Sequence, residues 1–273
     1  MSASVAPLDE RGHVMAIARA SLLVGLFAIS VGPLVMLAIW ATSGQWLFPA
    51  LLPATLTLDG WRNPGASALG HALGTSGALA VTTGVVGCAL ALPVGRALSR
   101  LSGWRRHAAA AAVFLPVAAP PLALGTGLQV VALSAGLGGT AAGVLLAHLV
   151  PTVGYLSLYF LGTFTLFDAH AEAEARTLGA TPWQTWWRVT IPLLRRQIGE
   201  AMAIGFLISW TQFALTLVVG GGAVRALPLE VFAMVRAGQD RAAAIGALLL
   251  ILPPVAALAW LRWAARRTAV IPL

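Results

Sequence analysis

Three sets of residues in this chain have the types and spacing to do chemistry. Gly74-Thr75-Ser76-Gly77 has the Gly-x-Ser-Gly form that can carry a serine nucleophile, and His148 is a histidine that could act as its base in acyl transfer. Glu172 and Glu174 stand beside Ala175 and Arg176, a charged cluster suited to polar contacts with a protein partner. Ser209, Gln212 and Thr216 fall at i, i+3 and i+7 of an apolar stretch, which places them on one face of a helix. At bilayer depth such a stripe either lines a watery path or joins helices by hydrogen bonds, and Gln129 and His148 are further polar residues of the same kind.

The elements that carry these residues are set by the solvent. The 273 residues are 59% hydrophobic and 10% charged, with a mean hydropathy of +0.86, and the apolar residues come in long blocks. That composition is too apolar for a soluble domain and specifies an integral membrane protein. Six blocks, near 16–41, 70–95, 108–134, 139–166, 198–220 and 242–263, are long enough to cross about 30 Å of hydrocarbon as helices. The first block is too long for a signal-peptide core and has no small-x-small cleavage context after it, so it reads as a span. The expected fold is all-α, a single transmembrane domain over 1–273.

All 17 basic residues are arginine. With alternating spans, Arg11, Arg19, Arg96, Arg100, Arg105, Arg106, Arg176, Arg188, Arg195, Arg196, Arg262, Arg266 and Arg267 share one side, which the positive-inside rule makes cytoplasmic, with both termini there. Arg62, Arg225, Arg236 and Arg241 remain outside. The net charge of +8 is thus topology, with anionic lipid as its neighbour, and calls for no nucleic-acid partner. The lone Cys88, inside the second block, reads as a small packing residue.

Local signals add detail. Pro116, Pro120 and Pro121 predict a kinked or broken third span, and Gly220-Gly221-Gly222 ends the fifth, with a short outer helix over 228–237. Trp46, Pro49, Pro53 and Trp61 mark an interfacial outer loop. The loop between the fourth and fifth blocks, about 167–197, is far longer than a turn requires. Residues 168–178 should be helical with Gly179 as a left-handed stop. Thr181 then reads as an N-cap, Pro182 as the first helical position, and Gln184 as the partner that completes a capping box. Trp183, Trp186 and Trp187 give this knob a bulky apolar face, suited to docking or to lying on the inner leaflet.

The spacing of this loop resembles the EAA signature of binding-protein-dependent ABC importer permeases, Glu-Ala-Ala, three residues, Gly, nine residues, Ile-x-Leu-Pro. Here Arg176-Thr177-Leu178-Gly179-Ala180 and then Val189-x-Ile191-Pro192 match, while Ala173 occupies the usual glutamate position between Glu172 and Glu174. Ser209-Trp210-Thr211-Gln212-Phe213, Gly220-Gly221-Gly222 and Leu227-Pro228 are similar to thiamine-type, spermidine/putrescine-type and iron-type permeases. The resemblance implies a type I, MetI-like architecture in the bacterial cytoplasmic membrane. It also implies a second permease subunit, the same or related, a periplasmic or lipoprotein substrate-binding protein, and ABC ATPase subunits. Glu172, Glu174, Ala175, Arg176, Gly179, Ala180 and Trp183 would then couple to the ATPase, and Ser209, Gln212, Thr216 and Gln129 would line the path. The chain has no lysine and therefore no phosphate-binding Gly-x-x-x-x-Gly-Lys loop, so ATP and magnesium are expected on the partner and no cofactor or metal on this chain.

Other classes fit less of the sequence. No Asp or Glu lies near the middle of any block, as a proton- or sodium-coupled transporter would require. An intramembrane serine protease of the rhomboid kind would use Ser76 and His148, but Ser76 sits in the second block rather than the fourth and the loop would have no role. A stand-alone channel or facilitator predicts transport without an ATPase.

Overall fold

The computed structural model describes residues 8–44, 46, 49–62 and 68–268. The extreme tails, 1–7 and 269–273, which the topology expectation includes, lie outside the described residues. In chain order the elements are α1 (Leu8–Thr42), α2 (Asp59–Arg62), α3 (Ala68–Arg100), α4 (Gly103–Ala118), α5 (Pro121–Ser134) and α6 (Ala141–Thr165). There follow α7 (His170–Thr177), α8 (Pro182–Thr185), a π-helical turn (Trp186–Thr190), α9 (Ile191–Leu193), α10 (Arg195–Trp210), α11 (Ala214–Gly220), α12 (Leu227–Arg236) and α13 (Asp240–Thr268).

α1, α3, α6 and α13 each hold an apolar stretch of spanning length. The remaining two spans are bent pairs, α4 with α5 at 94° and α10 with α11 at 61°. The first bend falls where the prolines predict it: α4 ends at Ala118 with Ala119 extended as its C-cap, and Pro121, with no amide to donate, opens α5. The second bend, over Thr211–Phe213, has no proline and was not expected.

Contacts at the helix ends sort the chain into two sides. On one, Trp61 Nε1 donates to the Ala41 carbonyl at 3.1 Å, and the Ser76 hydroxyl accepts the Leu227 amide at 2.7 Å. The Gly139 amide reaches the Val219 carbonyl there, and Ala41, Leu69, Leu227, Met234 and Ala243 pack as one cluster. On the other side, the C-terminal end of α3 meets α7 through Arg96 and Glu172. The spans therefore alternate in direction, as six crossings require.

α3, α6 and α10 form the centre. Cys88, Ala91, Leu92, Leu156, Phe160, Leu194 and Ala201 are buried together there. Lipid tails are as apolar as leucine, so helices in a bilayer hold together by close backbone approach, and small residues permit it. A Cβ on Gly84 would stand 2.7 Å from the Met202 carbonyl of α10, and one on Gly95 would run into Phe160 of α6. In contrast, no residue of α1 from 15 to 40 is buried within this chain.

Candidate coupling loop and path residues

The loop between α6 and α10 is a stiff knob. α7 ends at Thr177, and Gly179 takes a φ of +85°, a left-handed conformation that side-chain-bearing residues resist. α8 opens on a complete capping box: Thr181 Oγ1 accepts the Gln184 amide at 3.2 Å, and Gln184 Oε1 accepts the Thr181 amide at 2.9 Å. The π-helical turn that follows was not foreseen. Pro192 has no amide to give the Arg188 carbonyl and its ring would crowd that turn, so the helix widens just before it, with the Ile191 amide reaching back to Trp186.

The exposed face of the knob is apolar with charges beside it. Leu178 is 84%, Trp183 69% and Trp187 52% exposed, and the last two indoles meet edge to face at 5.4 Å. Glu174, Arg176 and Gly179 are exposed beside them, and Ala175 and Ala180 lie half-buried.

Glu172 points the other way. Its carboxylate is buried and accepts both Arg96 terminal nitrogens, Oε1 at 2.8 Å and Oε2 at 2.6 Å, while the Thr190 hydroxyl also donates to Oε1. Burial alone would raise this carboxyl's pKa. The hydrogen bonds from Arg96 and Thr190, with the charges of Arg96 and Arg176, outweigh burial and hold it below the ordinary carboxylate value. Of the two glutamates considered for polar contacts with a partner, Glu172 is thus engaged inside the chain and Glu174 is the one on the surface.

The expected polar stripe does not form one helical face, because α10 ends at Trp210 and α11 starts at Ala214. Ser209 and Thr216 are buried instead against His148 of α6, whose Nδ1 lies 2.8 Å from Ser209 Oγ and Nε2 2.9 Å from Thr216 Oγ1. Thr216 donates its own proton to the Gln212 carbonyl at 2.7 Å, so in its contact with His148 it accepts from Nε2–H. Gln212, at the bend, and Gln129, in α5, are half-buried. His148 therefore joins Ser209 of α10 and Thr216 of α11 to α6.

This geometry also removes the hydrolase reading. Ser76 is bound to the Leu227 amide, and both ring nitrogens of His148 are occupied by other hydroxyls. Among the described residues no group of three or more His, Cys, Asp or Glu is placed to hold a metal ion.

Comparison with known proteins agrees with the helical architecture. Residues 84–270 match the family model described as binding-protein-dependent transport system inner membrane component. The molybdenum transport system permease protein ModB of Mycobacterium tuberculosis is 31% identical over 178 residues, covering 60% of this chain and 67% of that protein. The putrescine transport system permease protein PotI of Escherichia coli is 28% identical over 121 residues, 44% of this chain and 42% of that one. Among solved structures, a bacterial alginate ABC transporter in complex with an alginate pentasaccharide-bound periplasmic protein has a chain that superposes with a TM-score of 0.70. It shares 12% identity and covers 97% of this chain and 98% of its own, a likeness of fold. With the family model spanning more than half of its length, the chain belongs to the binding-protein-dependent inner membrane transport components and is a multi-pass permease subunit of an ABC importer.

Proposed function

We propose that the knob formed by α7, α8 and the π-helical turn docks on a separate ABC ATPase and passes its movement to the spans. ATP and magnesium belong to that ATPase, and this chain catalyses no reaction itself. The observation that carries the reading is the exposed face of Leu178, Trp183 and Trp187 on a loop braced by a capping box and a left-handed glycine. Its ends run directly into α6 and, through α9, into α10. A push on a stiff loop becomes a rigid-body displacement of both helices.

In this reading the loop side and both termini are cytoplasmic, following the arginine distribution. A second permease subunit, identical or related, completes the path, and a substrate-binding protein delivers cargo to the opposite side. The path runs past the bend at Gln212, with Gln129 as a second polar group. A broken helix is tolerated at membrane depth where its freed backbone is buried in protein or lines a cavity. The substrates named for the two relatives, molybdenum and putrescine, are of different chemistry and do not select one cargo.

The test places a cysteine at Trp183 in a Cys88→Ala background and adds a thiol cross-linker to the assembled transporter. Cross-linking to the ATPase subunit supports docking. Labelling of Trp183→Cys by a lipid-phase reagent, with no cross-link to the ATPase, would place the loop on the membrane surface instead.

A further inference from the structure

Arg96 of α3 gathers the base of the loop into a single network. Its guanidinium forms the two-pronged bond to Glu172 of α7, and its Cζ lies 4.9 Å from the Trp186 ring centroid in the π-helical turn and 5.5 Å from that of Phe164 at the end of α6. The Phe164 and Trp186 rings stack on each other at 6.4 Å and 18°. Thr190, at the end of the π-helical turn, joins through its bond to Glu172. The end of α6, α7 and the π-helical turn thus all meet one side chain of a helix that is not their chain neighbour.

The pair is almost fully withdrawn from solvent, with side-chain exposures of 16% for Arg96 and 9% for Glu172. An ion pair in such a place holds its geometry closely, because separating the charges leaves one of them buried and uncompensated. α3 in turn is interlocked with α6 and α10 where a Cβ on Gly87 would meet Thr152 and one on Gly84 would meet Met202. Movement of the loop therefore has a lateral route into the centre of the molecule besides its two covalent ends.

We infer that Arg96 is a positioning residue for transport coupling, a strut that forces the cytoplasmic end of α3 to follow the loop when the ATPase moves it. This rests on the docking reading above. A strut of this kind changes how much transport each ATP yields, whereas a merely structural pair changes only how much complex assembles.

The experiment uses the whole transporter in proteoliposomes, with ATP hydrolysed and substrate transported measured in the same sample. The neutral pair Arg96→Gln with Glu172→Gln removes both charges and keeps the side-chain lengths, so no lone charge is left buried. For complexes that retain the ATPase, transport per ATP should fall roughly 2- to 30-fold, the range for residues that carry coupling between sites. Arg96→Gln alone and Glu172→Gln alone should each lose about as much as the pair, since either removes the whole bond. Arg96→Lys, which keeps the charge but not the two-pronged geometry, should fall between. Unchanged transport per ATP in the neutral pair or in Arg96→Lys would overturn the strut, even if yield drops. Loss of the Trp183→Cys cross-link in the parent protein would instead overturn docking, so the two failures are distinguishable.

Discussion

The Ser76 hydroxyl accepts the backbone amide of Leu227 at 2.7 Å, so a residue with the sequence context of a nucleophile is a lock between α3 and the first turn of α12. α12 begins with Leu227 and Pro228, and its first amides have no partner within the helix. Ser76→Ala leaves the Leu227 amide buried and unpaired, at a cost of about 1–3 kcal/mol. The expected outcome is a lower melting temperature in detergent with transport per assembled complex unchanged. Abolished turnover with normal assembly would restore a chemical role for Ser76.

His148 predicts a contrast with Gln212. Replacing His148 by Leu removes the bonds to Ser209 and Thr216, which in membrane proteins average about 0.6 kcal/mol each. Assembly should fall modestly and transport per complex should hold. Gln212→Leu should do the reverse, because that side chain is half-buried at the bend rather than engaged with His148. Equal effects on assembly would make Gln212 a packing residue as well.

Acid should loosen the loop before the spans. The Glu172 carboxyl is held below the ordinary carboxylate value in the folded chain, chiefly by Arg96 and Thr190 against the contrary effect of burial, with Arg176 adding charge. The stability it contributes is fully present above the pKa of an unperturbed glutamate and is lost as pH falls through the lowered folded value. Fluorescence of Trp186, which lies against Arg96, should report this step in a protein whose other tryptophans near the loop, Trp183 and Trp187, are replaced by Phe. In the Arg96→Gln and Glu172→Gln pair the acid step should vanish. A step that persists there would assign it to another carboxylate.

Much of the fold is legible in the sequence because lipid leaves few choices. Apolar blocks of spanning length become helices, prolines 120 and 121 break the third span, and Thr181, Pro182 and Gln184 build the cap their types require. The bend over Thr211–Phe213 is not legible, since nothing in those residues forbids a helix and the break depends on packing of α11 against α5 and α6. Arg96 reads from sequence only as one more cytoplasmic charge, because its partner lies 76 positions away. On α7, Ala171, Glu172 and Ala175 share the less exposed face, where a carboxylate needs a cation, but packing and not the sequence of α7 decides which face that is.

The alternation of spans predicts which residues a membrane-impermeant thiol reagent reaches. With Cys88 replaced by Ala, a cysteine at Leu178, which is 84% exposed in this chain, should react only in inside-out vesicles stripped of the ATPase subunit. One at Arg225, whose side chain is 70% exposed, should react in intact cells. The reversed pattern would invert the topology, and reaction of both from one side would break the six-span reading.

Gly179 offers the sharpest test of loop stiffness, because backbone and packing effects separate there. A Cβ at this position would meet no atom within 4 Å, so substitution adds no clash. Its φ of +85° is the whole obstacle, and forcing a side-chain-bearing residue into such a conformation costs on the order of 1–3 kcal/mol. The cost should follow backbone preference rather than size: Asn, which tolerates the left-handed region, should retain most transport, Ala less, and Val, branched at Cβ, least. In Gly179→Val the turn between α7 and α8 should relax, leaving ATP hydrolysis running while transport per ATP falls. A series ordered by side-chain volume would point to a steric contact with the partner at this surface. Normal transport by Gly179→Val would remove the requirement for a rigid loop altogether.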